Sequence, residues 1–319
     1  LVGPELCEKL AALEERVTKL TKTAQEIQDQ IDAIDATTYA SKADIEAARA
    51  AYDAFETNGQ GFHALINTTN LTNAEQYISD CDEACAEFLQ YVEDNLPADA
   101  KDLTLEQAGK IAGAEELYNK LDADIQANNG DVIAAKALID ACKAQDEVNK
   151  KAVEDFVAGV KDLGVTEEKD EEGASYDPKQ WNTDSIDITD EQTVAELNET
   201  LEALKANGYD KLPVPETDPV EYYITQDILD MLAAATEKIN SITSKIQAIL
   251  TKIEAIEKLD ATNPVVDYAN AEAIMTIITE EFDALTADEK ATTIGQKIES
   301  YRTSINEMTE KAGAYIAAD

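Results

Sequence analysis

From Leu6 onward the apolar residues of this chain fall at Leu6, Leu10, Leu13, Val17, Leu20, Ala24, Ile27, Ile31 and Ile34, in alternating steps of four and three. Such heptad spacing keeps one apolar seam along one side of a helix. The alternation returns unbroken at Ile228, Leu232, Ala235, Ile239, Ile242, Ile246, Ile249, Ile253 and Ile256. The pattern predicts two long helices with coiled-coil-like seams, the first opened by Pro4 and the second closed by Asn263-Pro264.

The stretches that follow the two seams are also alike. Ile31-Asp32-Ala33-Ile34 matches Ile253-Glu254-Ala255-Ile256, and each leads through a loop into a shorter helix. The first shorter helix is expected over Ala43 to Phe55, with Ile45, Ala48, Tyr52 and Phe55 as its apolar stripe; its counterpart is expected over Ala269 to Leu285. Third helices follow, Asn73 to Asn95 and Ala287 to Ala312. A Thr followed three residues later by Glu or Gln lets both side chains satisfy free backbone amides at a helix start. The signature occurs at Thr72 with Glu75, Thr104 with Gln107, Thr189 with Gln192, and Thr286 with Glu289. The chain thus reads as an internal duplication of a three-helix module.

Between the modules, helices are expected over Thr104 to Ala127 and Asp131 to Leu163, turned by Asn128-Asn129-Gly130. The character then changes. Residues 162–191 are densely acidic, with Lys169 and Lys179 as their only bases, and carry Gly164, Gly173, Pro178 and the sole tryptophan, Trp181. Ser185 to Thr189 alternates like a short strand, Asp190 to Ala206 like an amphipathic helix, and Tyr209 to Val214 like a second strand stopped by prolines. The expected fold class is mainly α: two long heptad-patterned helices, each in a three-helix-bundle module, with a small α+β insertion. The expected divisions are module 1 at 1–100, a helical hairpin at 101–163, the acidic loop and insertion at 164–222, and module 2 at 223–319.

Composition narrows the function. The 319 residues carry 67 acids against 26 bases, a formal net charge of −41. Such a surface repels nucleic acid and anionic membranes, and only Arg16, Arg49 and Arg302 could grip phosphate bidentately. Hydrophobic residues make up 44% of the chain but aromatics only 6%, the inventory of packed aliphatic helices. One histidine, His63, in the loop Gly59-Gln60-Gly61-Phe62-His63, removes most triads, imidazole bases and zinc sites. No P-loop, dinucleotide fingerprint, nucleophile elbow or Cys-His arrangement is written in the chain. No apolar run is long enough for a membrane span, and no leader is recognisable. Beginning at Leu1-Val2-Gly3-Pro4, the chain reads as a piece of a longer protein.

Candidate chemistry is sparse. Glu167, Glu168, Asp170, Glu171, Glu172 and Asp177 gather the flexible oxygen ligands that calcium prefers, although their spacing matches no EF-hand loop. A solvated acidic loop is the competing reading. No other cofactor is implied. Cys7, Cys81, Cys85 and Cys142 sit on predicted helices and read first as simple thiols, with a disulfide from Cys142 to Cys81 or Cys85 as the alternative in an exported protein. Trp181, Tyr222 and Tyr223 either pin the insertion onto the helices or form a binding patch, since aromatics on a polar surface are typical anchors. The triplets beginning at Asn67, Asn70 and Asn198 match the glycosylation pattern, which would carry little meaning in a bacterial chain.

The stretch Ala43-Asp44-Ile45-Glu46-Ala47-Ala48-Arg49-Ala50-Ala51-Tyr52-Asp53-Ala54-Phe55, closing later with Leu71-Thr72-Asn73-Ala74-Glu75, resembles the short helical repeat of S-layer and other large surface proteins of Gram-positive bacteria. Phe282-Asp283-Ala284-Leu285-Thr286-Ala287-Asp288-Glu289-Lys290-Ala291 keeps the middle of that repeat, which the first copy lost, whereas the Arg is missing from the second copy. The resemblance implies export and a cell-surface setting, and names neither ligand nor catalytic residue. The leading expectation is a non-enzymatic, extracellular helical-bundle segment serving as spacer or interaction module. The second is an adhesin region that binds a host protein such as an immunoglobulin or matrix protein. The third, from another class, is a cell-wall glycan-active enzyme using Glu171 and Glu172, against which stands the scarcity of aromatics.

Overall fold

The computed structural model describes residues 3–59, 61–217, 219–256 and 268–318. The expected stop at Asn263-Pro264 lies outside them. The protein is mainly helical. It divides into two compact units, Leu1–Val148 and Asn149–Asp319.

In the first unit, α1 (Pro4–Asp32) starts behind Gly3 with Pro4 in its first turn, where a missing N–H costs nothing. Its apolar row divides into two halves. Ala24, Ile27 and Ile31 are buried with Ile45, Ala48 and Phe55 of α2 (Lys42–Asn58) and Leu71, Ala74 and Ile78 of α3 (Thr69–Asn95). Leu6, Leu10, Leu13 and Val17 instead stand 58%, 57%, 59% and 44% exposed. α3 then continues into a second core, where Cys85, Phe88 and Val92 pack with Ile111 and Ala114 of α5 (Ile111–Lys120), Ile125 of α6 (Ala123–Asn128), and Val132, Ala135, Ile139 and Cys142 of α7 (Gly130–Asp162). One helix therefore serves two successive cores.

The expected helix Thr104 to Ala127 is instead three pieces, because α4 (Leu105–Ala108) and α6 each have a start of their own. Thr104 and Gln107 form the reciprocal cap that the sequence announced. Asp122, however, turns its carboxylate onto the Asp124 amide at 2.8 Å, and Gln126 Nε2 donates to the carbonyls of Tyr118 and Leu121. Those bonds satisfy the groups a helix break leaves open. Thr72 caps nothing, since the Asn67 side chain has already taken the Thr69 amide at 3.0 Å and α3 begins earlier.

In the second unit, residues of α7 from Asn149 onward bury Val153, Phe156 and Val160, and α9 (Gln226–Glu254) packs with α8 (Glu191–Ala206). α8 buries Val194, Leu197, Leu201 and Leu204; the N-terminal part of α9 buries Ile228, Leu232, Ala235 and Ile239. Gly159 lets α7 approach α8, for a Cβ there would lie 2.9 Å from Leu197 Cδ2. Further along, Ile246, Ile249, Leu250 and Ile253 of α9 join another core with Ile274 of α10 (Tyr268–Ile277), Ile278 and Phe282 of the π turn that continues it, and Ile298, Ile305 and Met308 of α12 (Thr293–Ala318). The expected helix Ala287 to Ala312 is broken at Thr292, between α11 (Ala287–Ala291) and α12.

Neither expected strand of the insertion forms. Ser185 to Thr189 becomes a turn and the 3-10 helix Ile188–Asp190, because Asp187 takes the Thr189 amide and Asp190 takes that of Asp187. That pair replaces the expected Thr189–Gln192 cap. Tyr209 to Val214 opens with the 3-10 turn Tyr209–Lys211, leaving only the bridge Pro213 to Tyr222. The strands lie in the acidic segment instead: β1 (Thr166–Glu167) pairs antiparallel with β2 (Trp181–Asn182). Left-handed Gly164, at φ 72°, turns the chain out of α7 toward β1, and left-handed Gly173, at φ 83°, makes the hairpin's turn.

Candidate functional site

The six acids proposed for calcium are spread along this hairpin. Glu167 lies in β1, half-buried, Glu168 follows it, and Glu171, Glu172 and Asp177 are exposed. Asp170 is occupied locally, its Oδ1 accepting the amides of Ala174 at 2.7 Å and Glu172 at 3.0 Å. Among the described residues no group of three or more His, Cys, Asp or Glu side chains converges as a metal site. Asp170 fixes the turn, and the six acids together give the hairpin its negative charge.

The three aromatics are also separated by their roles. Trp181 lines a cavity of about 410 Å³ with Gln180, Thr183 and, from α9, Ala234, Glu237, Lys238 and Ser241. Lys179 stands 6.0 Å over the indole and reaches both carboxylate oxygens of Asp227 at 2.7 Å. Tyr222 and Tyr223 are absent from that cavity and sit at the Pro213 to Tyr222 bridge, where the Tyr223 amide donates to Leu212 O. Val220 and Tyr222 on this loop are 60% and 48% exposed.

Two polar clusters in the first unit escaped the sequence reading. Tyr39 Oη donates to Asp82 at 2.6 Å, while Lys42 Nζ donates to Tyr39 Oη and to both Asp82 oxygens. Nearby in sequence, Tyr77 Oη donates to Asp122 at 2.8 Å. The hydrogen bond to Asp82 pushes the Tyr39 hydroxyl up and, chiefly, the Lys42 ammonium well above its ordinary value. Asp82 is held low: burial works to raise it, but the bonds from Lys42 and Tyr39 outweigh burial. Burial raises the Cys81, Cys85 and Cys142 thiols. Every shift favours the resting protonation state, the opposite of what an activated nucleophile or general base needs. Long-range partners 40 and more residues apart leave no local signature by which these clusters could have been found.

Each of the four cysteines is a free thiol, so the Cys142 disulfide to Cys81 or Cys85 is not formed; Cys85 and Cys142 are buried, Cys81 partly buried and Cys7 exposed. His63 stacks edge-on against Tyr52 at 6.5 Å and belongs to the 3-10 turn Phe62–Leu65. The chain matches no family model, no curated protein and no solved structure. No described helix is long and apolar enough to cross a membrane.

What remains is a set of ties between helices. Arg49 of α2 grips Glu75 of α3 with Nε and Nη2 at 2.5 and 2.6 Å. In the second unit Arg302 of α12 holds Asp283 and lies 5.9 Å over the Phe282 ring. Lys252 and Lys297 of that unit pair with Glu281 and Glu254. These contacts position helices; among the exposed large hydrophobics of the described residues are the apolar row at the start of α1 and Val220 with Tyr222.

Proposed function

We propose that the chain is a non-enzymatic helical-bundle segment of a bacterial surface protein, acting as a structural spacer and interaction module. In this reading the two long heptad seams head duplicated three-helix modules. The observation that carries it is the double duty of long helices: α3 gives Leu71, Ala74 and Ile78 to one core and Cys85, Phe88 and Val92 to the next. A helix shared between cores passes load and order directly from one to the other, which is what a spacer requires. Support for the surface setting comes from the repeat-like residues themselves, since Arg49, Tyr52 and Glu75 act as one unit, the guanidinium lying 5.5 Å over the tyrosine ring. The net charge of −41 suits a coat that stays soluble and responds to divalent-ion screening.

Hydrogen exchange tests the spacer role. Phe88→Ala, in the second core, is expected to lower protection across α1 and α2 as well; loss confined to α5–α7 overturns it. Labelling of intact source cells by an antibody to this chain is expected, and labelling only after permeabilisation overturns the surface placement. The host-protein adhesin is the second reading, favoured by Val220 and Tyr222 exposed on one loop. It predicts binding to immobilised immunoglobulin or matrix protein that Tyr222→Ala abolishes.

A further inference from the structure

Every described residue from Gly3 to Lys19 is exposed, although α1 carries Leu6, Leu10, Leu13 and Val17 on one face there. A free-standing helix of this length is marginal in water, and a leucine row on it calls for a covering surface. The row's flanks say which kind. With Leu6 and Leu13 at d and Leu10 and Val17 at a, the e positions are Cys7 and Glu14 and the g positions Lys9 and Arg16. This is a strict a/d stripe with charged edges, the width one partner helix covers. The corresponding part of α9 is broader: Leu229 and Met231 stand where α1 has Cys7 and Lys9, and both are half-buried in the unit where α8 packs on α9. Leu at d with Val17 at a further suits two strands.

The charges fix identity and direction. Among the described residues Lys9, Glu14 and Arg16 make no ion pair within the chain. In a parallel, in-register pair of identical helices, g of one strand faces e of the next heptad on the other, so Lys9 meets Glu14 twice by symmetry. An antiparallel pair would set Lys9 and Arg16 against the same bases. From Gly3 to Lys19 the helix carries four acids, Glu5, Glu8, Glu14 and Glu15, against three bases, Lys9, Arg16 and Lys19, a nearly neutral stretch in a chain of −41.

We propose that a second copy of this chain covers the row, forming a parallel two-stranded coiled coil over the first half of α1. The dimer stands independently of where the protein resides in the cell. Because each copy carries −41, added salt screens the long-range repulsion between them, and the dimer tightens as salt rises.

Sedimentation equilibrium of the full chain is expected to show a concentration-dependent doubling of mass, stronger at high salt. Leu10→Glu with Leu13→Glu, both at exposed positions, is expected to keep the circular dichroism of the wild type and weaken the dimer by about 100-fold or more. Leu13→Cys in a Cys7→Ser background places identical d positions together and is expected to oxidise to a covalent dimer. A chain that stays monomeric at all concentrations and salts, whether because the row binds another protein or nothing, overturns the proposal. So does a dimer that survives the double glutamate variant, or one in which Leu13→Cys fails to cross-link.

Discussion

Arg49 and Glu75 are joined by two parallel hydrogen bonds that clamp α2 to α3, each side chain being only about a third exposed (32% and 33%). The fork geometry is specific to guanidinium, and a lysine would reach only one oxygen. Solvent at the edge screens the pair, so its coupling is expected near ~1 kcal/mol, at the upper end for exposed pairs. A double-mutant cycle of Arg49→Ala and Glu75→Ala in urea measures it. Arg49→Lys should recover less than half of the loss, and full recovery would show that charge alone matters.

Much of the helical layout was legible because its signals are local. Thr104 with Gln107 and Thr286 with Glu289 cap the helices their spacing announced, and α8 begins within a residue of its expected start. Two of the failures share one cause, competition by a neighbour. Asn67 captured the amide that displaced Thr72, and Asp187 with Asp190 captured those that would have built a strand. The exposed half of the α1 row was invisible for a different reason. Periodicity says that a face is apolar, whereas what covers it is decided by distant chain. The same holds for Arg302, which brings a guanidinium to Asp283 from α12 although the repeat-like stretch of the second unit has lost its own arginine.

Tyr77 and Asp122 yield a pH prediction. Burial works to raise the Asp122 carboxyl, but the Tyr77 hydroxyl and the Asp124 amide outweigh it, so its pKa lies below the usual 3.8. A carboxyl whose pKa is depressed by folding contributes stability that is present above its unfolded value and lost as pH falls through the folded one. Asp82 acts in the same direction. Tyr77→Phe is therefore expected to cost about 1 kcal/mol at neutral pH. The cost should start to shrink as pH falls past the unfolded value of 3.8 and fade once pH drops through the lower value at which folded Asp122 takes up its proton. Urea titrations across that range check the sign; a cost independent of pH would mean that Tyr77 contributes packing only.

Gly295 and Gly113 separate two kinds of close approach. A Cβ at Gly295 would land on the Lys290 carbonyl oxygen and 2.7 Å from that of Glu289, both backbone atoms at the junction of α11 and α12. Nothing there can swing aside. Gly295→Ala is expected to cost about 2–3 kcal/mol through a forced backbone shift. At Gly113 the obstacle is the Tyr91 hydroxyl, the far end of a side chain whose hydrogen bond to Lys110 O is already long at 3.4 Å. There the gain in helix propensity offsets the adjustment, and Gly113→Ala should stay within ~1 kcal/mol of the wild type. Chemical denaturation of both variants checks the contrast, and equal losses would remove the distinction.

Trp181 reports on the acidic hairpin alone, because it is the only tryptophan in the chain. Its docking on α9 rests on few contacts: a half-buried indole, Lys179 above it, and the pair from Lys179 to Asp227. The hairpin's two strands are two residues each, and residues 171–180 are exposed throughout. A region with so little burial opens at lower cost than the aliphatic cores beneath it. The fluorescence midpoint in urea is therefore expected below the midpoint of helical circular dichroism. Lys179→Ala should lower the first and leave the second in place, since removing the lysine frees both the ring and Asp227 without touching Ile228 or Leu232. Proteolytic cleavage within residues 171–180 should rise in step. Coincident transitions in wild type and variant would instead make the hairpin an integral part of the α8–α9 packing, held by more than the Lys179 bridge.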